Sequence, residues 1–529
     1  MSFLEARDKA LIGKILEAEL HGHELLPEDA EADAAGHLPE SQPGAIQLLS
    51  EEVARRYNVI PLAVSGRTLQ VAMANLSDIL ALEAVAAQTR MKIKPVAAGI
   101  KEIQEAIDLN YRTLGGFENE LCQILAPVVE VTAEEATVDT SISAPVSRSL
   151  QLIIDEAAKA RASDIHIEPQ EDRLRVRCRI DGTLHEVLSL PLAVSAPLVS
   201  RVKILSDMNI ADHHRPQDGQ FSVKTKGRLI DIRVGTTDTV YGEMAVLRLL
   251  DKSLAVLSLS ELGFLPDSLA KYENMLKVPY GMILVSGPTG AGKTTTLYAS
   301  VNCLDRVGRN IITIEDPVEY RFKDINQIQV NPKAGLTFGS GLRSILRLDP
   351  DVILVGEIRD AETANIAIQS ALTGHLVLSS IHANDAVNVV FRLLDLGVEP
   401  FLVSSAVIGV VAQRMVRRVC SHCSCPAKAS AAEQAAYRQE VGEERDEFLC
   451  GAGCRTCADT GYLGRVGIFE VLSMSDEIRG MLLSSGTATQ IRTQAIKEGM
   501  VTLMKDGMLK VKAGITTPSE VLRNAYSSS

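Results

Sequence analysis

Tryptophan is absent from this 529-residue chain, and phenylalanine and tyrosine supply only ten residues each. Few aromatic faces are therefore available on which unpaired bases could stack. A basic excess is missing too: 54 Lys and Arg stand against 67 Asp and Glu, a formal net charge of −13. Proteins that live on duplex DNA draw much of their affinity from neutralising phosphates, so no nucleic-acid partner is expected, a local basic patch apart. No uninterrupted apolar run approaches the ~20 residues needed to span a bilayer, so no transmembrane segment is expected. The first twenty residues carry Glu5, Asp8, Glu17 and Glu19 and no cleavage-site pattern, unlike a signal peptide. A cytosolic location is the expectation. Cysteines in a reducing compartment seldom form disulfides, and six of the nine here crowd between residues 420 and 457.

No short-period repeat appears, and the length implies about three or four domains. Residues 17–41 hold eight acids and no Lys or Arg, the composition of a solvated loop or frayed helix. A helical period then runs from Ile46 to Tyr57, Pro61 interrupts it, and strands follow in IPLAV and TLQVAMA. A further strand and an amphipathic helix in IKPVAAGIKEIQEAIDLNYR close a small α/β domain, 1–113. Residues 114–145, rich in Thr, Ala and acids, read as a linker with weak helix. A second unit, 146–255, alternates strongly. Ile165 and Ile167 oppose Asp164, His166 and Glu168, while Leu174, Val176, Cys178 and Ile180 oppose Arg173, Arg175, Arg177 and Arg179. Asp181-Gly182 is a hairpin turn, and residues 216–219, Pro-Gln-Asp-Gly, are read as another. The four arginines are either a solvated strand face or a face met by acids or anions. The strands RLIDIRVGTT and EMAVLRLLD place Arg233 and Arg248 among apolar neighbours. From 256 to 529, strand and helix alternate, which implies a parallel sheet covered on both faces.

That last region carries the chemistry. Gly287, Pro288, Thr289, Gly290, Ala291, Gly292, Lys293 and Thr294 follow an apolar strand, open a helix and fit G-x-x-x-x-G-K-[ST]. Such a loop cradles phosphates with backbone amides at a helix N-terminus; Lys293 reaches the β/γ-phosphates and the Thr294 hydroxyl sits on Mg²⁺. The strand NIITIEDPVEY delivers Glu315, Asp316 and Glu319 to a strand end, where ligands of parallel sheets bind. In DVILVGEIRD the acid expected straight after the aliphatic run is replaced by Gly356, and Glu357 comes one place later. Glu357 reaches the phosphate loop if its strand neighbours that of 282–286. It is then available to polarise the attacking water, and Gly356 lets the strand end pass close to the nucleotide. Arg343, Arg347 and Arg359 are candidates to stabilise charge on the γ-phosphoryl group, or ordinary ion-pair partners. His375 and His382 bracket one further strand, and one of them can sense the γ-phosphate.

Taken together, GPTGAGKTT, ITIEDPVEY, LRLDPDVILVGEIRD, TGHLVLSSIHAND and AQRMVRRVC resemble the secretion ATPases of type II secretion and type IV pilus assembly. Upstream, ASDIHIEP, RCRIDG and RPQDG resemble that family's PAS-like second N-terminal domain, and the likeness spans about residues 40–525. The resemblance implies an α/β fold: a RecA-like P-loop ATPase domain, a PAS-like α+β domain, a small N-terminal α/β domain and a zinc-binding arm. It also implies roles for single residues. Glu357 is the catalytic glutamate, Glu315 and Asp316 form an acidic box, and His375 and His382 a histidine box. Arg233 and Arg248 reach the nucleotide from the PAS-like domain, with Arg343, Arg347 and Arg359 as the motor-domain candidates. In such a homohexamer, ATP clamps the PAS-like domain on the RecA-like domain. Hydrolysis releases the clamp and drives an inner-membrane platform protein that lifts pilin-like subunits. A membrane-anchored recruiting protein is the other expected partner, and the expected place is cytoplasmic, peripheral to the inner membrane.

Cys420-x-x-Cys423 and Cys454-x-x-Cys457 flank a 30-residue arm that reads helical, within an insertion at 416–467. Four thiolates at this double spacing make a closed structural Zn²⁺ site. Cys425 and Cys450 are surplus and could compete as ligands, although the family pattern favours the two CxxC pairs. ATP chemistry does not require zinc, so the arm is expected to shape a partner contact, and its presence separates the chain from retraction motors of the superfamily. Some relatives carry repeated R-L-G blocks for cyclic-di-GMP at the N-terminus; ALIGKILEAEL lacks the arginine, and that ligand is not expected here. A RecA-like nucleic-acid translocase and a nucleotide-binding scaffold without turnover are the alternatives.

Overall fold

The computed structural model describes residues 43–110 (except 47 and 77), 121, 124–125, 140–225, 228–250 and 257–525. The acidic stretch 17–41, the ALIGKILEAEL segment and most of 114–139 lie outside the described residues. The chain divides into two compact units, Met1–Arg112 and Thr113–Ser529. Among the described residues no helix is long and apolar enough to cross a membrane.

In the first unit, the helical period expected from Ile46 to Tyr57 is split into Pro43–Ile46 and Glu51–Tyr57. The Ser50 side chain accepts from Val53 N and starts the second helix afresh. Strands β1 (Val59–Ser65), β2 (Thr68–Met73) and β3 (Lys92–Ala97) form one sheet, antiparallel between β1 and β2 and parallel between β2 and β3. Pro61 sits in β1 beside an irregularity in the pairing, where its missing N–H is tolerated. The helix Ile79–Thr89 between β2 and β3 was not foreseen; ILALEAVAAQT is apolar nearly all round, so no 3.6-residue stripe stands out. The closing helix Ile100–Asn110 buries Ile103 and Ile107 against the sheet.

The second unit opens with the helix Thr140–Lys159, which starts inside the stretch read as linker. Pro145 removes one backbone bond, but Leu150, Ile153 and Ile154 are buried, and burial on that scale outweighs a single bond. The sheet it covers contains β4 (Ala162–Pro169), β5 (Arg173–Ile180), β6 (Thr183–Pro191), β7 (Gln217–Thr225), β8 (Arg228–Thr239) and β9 (Gly242–Leu250). It is antiparallel in the order β6-β5-β4-β9-β8-β7. Ile165, Ile167, Leu174 and Val176 face the helices. On the other face the arginines meet acids, which decides between the two readings. Arg175 and Arg177 both bind Glu168, Arg179 and Arg248 approach Asp164, and Arg173 pairs with Glu186. Burial works against ionising Glu168, yet the Arg177 and Arg175 guanidinium groups outweigh it and hold the carboxyl below the usual range. Asp181-Gly182 makes the expected hairpin, both residues at positive φ. The turn expected at 216–219 is not one: Gln217–Gly219 belong to β7. Gly219 is there for closeness, since a Cβ would lie 2.3 Å from the Ser206 carbonyl oxygen.

The remaining strands are β10 (Gly281–Ser286), β11 (Ile311–Glu315), β12 (Asn326–Gln329), β13 (Val352–Ile358), β14 (Leu376–Ile381), β15 (Val407–Val419), the hairpin β16 (Ser424–Lys428) and β17 (Glu447–Gly451), and β18 (Tyr462–Ser473). The main sheet runs β12-β11-β13-β14-β10-β15-β18, parallel except for the antiparallel edge pair β15–β18. Met282 and Leu284 enter the core on one face, Ile283 and Val285 that on the other, which is why β10 reads as an unbroken apolar run. The condition set for Glu357 by the sequence, that β13 neighbour β10, is not met, because β14 is inserted between them.

Candidate functional site

A cleft of about 430 Å³ opens at the carboxyl ends of β10, β11, β13 and β14. Its floor is the loop Pro288–Gly292 and the start of the helix Lys293–Cys303. The loop is pressed against β15: a Cβ on Gly287 would come within 2.5 Å of the Gln413 carbonyl oxygen. Gly292 takes φ 85°, which only glycine adopts cheaply, and from there the chain enters the helix with its amides toward the cleft. Lys293 Nζ donates to the carbonyls of Gly287 (2.8 Å) and Pro288 (3.1 Å). Burial lowers the Lys293 pKa, the nearby Glu357 charge raises it, and Arg414 lowers it further. Thr294, on the first turn, lines the cleft with its hydroxyl-bearing side chain exposed.

Glu357 reaches this cleft although β14 separates its strand from β10. The β13–β14 pairing is irregular between Val355 and Ile358, and Ser380 Oγ donates to the Gly356 carbonyl at 2.8 Å. Glu357 Oε1 lies 2.5 Å from Arg359 Nη2, and its Oε2 lies 3.7 Å from His382 Nε2. Gly356 lines the cleft, but the tight approach is to β11: a Cβ there would stand 3.3 Å from Glu315 Cα and from the Ile314 carbonyl oxygen. A side chain at 356 would press on that strand, and the acid stands one residue later. His382 is held below the ordinary value of 6.5 by burial and by the Lys293 charge, against the pull of Glu357.

The two members of the acidic box have different surroundings. Glu315 is 4% exposed and accepts from the Tyr298 hydroxyl, Thr313 Oγ1 and Gln327 Nε2. Burial, then the Glu315 charge, pushes the Tyr298 phenol up, so it stays a donor. Asp316 is exposed at the cleft. Glu319 is also on the cleft wall, and it is met by Arg233 from β8: Nη1 to Glu319 Oε1 at 2.9 Å and Nη2 to the Val318 carbonyl at 3.1 Å.

Several sequence-predicted residues are not brought to this cleft within the chain. Arg248 stays on Asp164, Arg343 pairs with Glu362 at 2.6 Å, and Arg347 is an exposed residue away from the lining. His375 precedes β14, at the opposite end of the sheet, where Nδ1 meets the Ser370 carbonyl at 2.9 Å. A six-residue strand separates the two histidines by roughly 20 Å. Conversely, Tyr298, Ser380, Gln413 and Arg414 were not assigned roles. Tyr298 and Ser380 line the cleft; Gln413 and Arg414 fall in AQRMVRRVC, whose adjacency to the loop depends on β15 pairing with β10.

A second site lies beyond β15. The sulfurs of Cys420, Cys423, Cys454 and Cys457 all lie within 4.8 Å of one another, with separations of 3.8, 3.8 and 3.6 Å for three pairs. A tetrahedron with Zn–S bonds of ~2.3 Å has edges of ~3.8 Å, so the four fit zinc. Gly461 N and Cys454 N donate to Cys457 Sγ, which would steady a thiolate there. Cys425 and Cys450 sit outside the cluster, opposite each other on β16 and β17. The helix of the arm, Ala431–Val441, forms as expected, and with β17 it packs Tyr437 and Phe448 onto Met508, Val511 and Val521.

Residues 139–523 match the family model described as type II/IV secretion system protein, and residues 34–116 match the MshEN domain. The chain is 42% identical over 492 residues to a type IV pilus assembly ATPase PilB of Myxococcus xanthus (strain DK1622), covering 91% of this chain and 87% of that protein. It is 46% identical over 406 residues to the type II secretion system protein HxcR of Pseudomonas aeruginosa, covering 77% and 82%. In fold it is similar to the Legionella pneumophila ATPase DotB, with a TM-score of 0.54 at 20% identity over 74% of this chain and 97% of that one. The chain belongs to the type II/IV secretion system protein family.

Proposed function

We propose that this ATPase is the homohexameric assembly motor of a type II secretion or type IV pilus machine. It would act on the cytoplasmic face of the inner membrane, against a polytopic platform protein and a membrane-anchored recruiting protein. The observation that carries the reading is Glu357, set by Gly356 into the same cleft as Lys293 and held between Arg359 and His382. The loop amides and Lys293 bind the phosphates of ATP. The Thr294 hydroxyl would hold Mg²⁺, a hard cation suited to oxygen donors, which neutralises phosphate charge when bound. Glu357 orients and deprotonates the attacking water; Arg359 steadies that carboxylate, and neutral His382 faces the γ-phosphate. The cysteine cluster would hold structural Zn²⁺, which braces the arm and leaves the hydrolysis to the cleft. Arg233 on Glu319 is the link by which the β4–β9 sheet follows the state of the cleft. The translocase alternative drops out, because the relatives are named as secretion and pilus proteins.

Glu357→Gln tests this. ATP binding is expected to persist while turnover falls by about 10²–10⁴, the usual contribution of a general base. The variant, captured with ATP–Mg²⁺ from detergent-solubilised cells, is expected to bring a polytopic membrane protein and pilin-like subunits. Nucleic acid in their place would overturn the reading.

A further inference from the structure

We infer that Gln413 is a positioning residue for the phosphate loop. The inference rests on that loop being the nucleotide site. Ser286, the last residue of β10, is paired with Ala412 of β15, so the next residue along β15 stands beside the loop. Gln413 is 1% exposed, and both ends of its amide are used by the loop and the helix that follows. Nε2 donates to the Ala291 carbonyl at 2.6 Å, and Oε1 accepts from Thr296 Oγ1 at 2.8 Å. Its backbone carbonyl forms the wall against which Gly287 lies. Two points of the phosphate loop and one of the helix behind it therefore meet one residue of a neighbouring strand.

The consequence follows from peptide geometry. The carbonyl and the N–H of a trans peptide lie in one plane and point in opposite directions across the C–N bond. Drawing the Ala291 carbonyl toward β15 turns the Gly292 N–H the other way, into the cleft. Gln413 thus orients a donor that meets phosphate without touching phosphate itself. Its neighbour Arg414 extends the clamp: Nη1 donates to the Gln413 carbonyl and Nη2 to Asn384 of the loop that carries His382.

The test uses the full chain, fluorescent ADP and ATP analogues with Mg²⁺, and steady-state hydrolysis. Gln413→Met keeps the length and removes both hydrogen bonds; Gln413→Glu keeps the shape and removes the donor. Both are expected to raise Kd for ADP and ATP, and KM for ATP, by about tenfold, the effect of one misdirected amide, with kcat changed far less. Thr296→Val, which leaves the Ala291 carbonyl anchored, is expected to stay within about threefold of wild type. Lys293→Ala is the control for the site: if it still binds nucleotide normally, the phosphate-site reading fails, whatever Gln413 does. If Lys293→Ala loses binding while folded Gln413→Met and Gln413→Glu keep wild-type Kd and KM, Gln413 is only a satisfied core amide and the inference is overturned. Failure of both Gln413 variants to fold would overturn it as well.

Discussion

His382 and Glu357 meet in the cleft, and the protonation state of His382 is set by its neighbours. Burial and Lys293 hold His382 below 6.5, so the imidazole is neutral at neutral pH. Below 6.5 the unfolded chain takes up this proton more readily than the folded one. Its contribution to stability is therefore intact above 6.5 and is lost as pH falls toward the lowered folded value. ATP turnover is expected to keep its rate down past pH 6.5 and to drop at a more acidic limb; in His382→Gln that limb should vanish from the pH–rate profile. If the limb stays where it was, His382 is not the group that titrates. At this scale the motif spacing was informative for Lys293, Thr294 and Glu357, because each is placed by its own strand and turn. It placed Glu315 at the strand end but gave no sign of its burial, because its hydrogen-bond donors come from positions 298, 313 and 327.

Elements repeat the lesson with different physics. Alternation of period two identified β4, β5, β8 and β9, and an unbroken apolar run identified β10 and β13. A Pro-Gln-Asp-Gly stretch that looks like a turn became strand, since a close pass beside Ser206 also demands glycine. The cysteine arm was legible as double CxxC spacing, and three of its sulfur pairs already stand at tetrahedral separations, with all four sulfurs within 4.8 Å. Chelation of the metal-loaded protein, or Cys423→Ser, is expected to release one zinc ion per chain. It should also raise hydrogen exchange in β16, β17 and the helix Ala431–Val441, with ADP affinity within about twofold. Burial pushes the Cys423 thiol up to about 12, so metal must displace its proton, and zinc retention should weaken as the pH falls. Loss of nucleotide affinity in step with the zinc would tie the arm to the cleft instead.

Across the second compact unit, polar contacts among the described residues join the β4–β9 sheet to the main sheet's domain. Arg233 meets Glu319 and Val318. Just past the cysteine cluster, Gly464 N donates to Asp181 at 2.9 Å and Arg465 Nε lies 3.9 Å from the same carboxylate. A half-buried ion pair contributes at most ~1 kcal/mol to stability, so Arg233→Glu should barely change Tm. Turnover is the better readout: each of Arg233→Glu and Glu319→Arg is expected to lower it about fivefold, and the double exchange to recover to within about twofold of wild type. Additive losses in the double variant would show that the two act separately.

By itself the sequence determined the local chemistry: a phosphate loop between strand and helix, an acid delayed by one glycine, two cysteine knuckles and an arginine-lined strand. These follow from backbone periodicity and from spacings of a few residues, which a neighbour far along the chain cannot alter. Tertiary structure alone decided that β14 lies between β13 and β10, that the arginine face is neutralised by Asp164, Glu168 and Glu186, that His375 faces away, and that Gln413 props the loop. The Gln413–Ala291 and Arg248–Asp164 contacts span 122 and 84 residues and the strand order involves the whole sheet, whereas the Glu168 and Glu186 pairs join neighbouring strands close in sequence. Such pairings are chosen by the free energy of the whole packed sheet, and no local pattern encodes them.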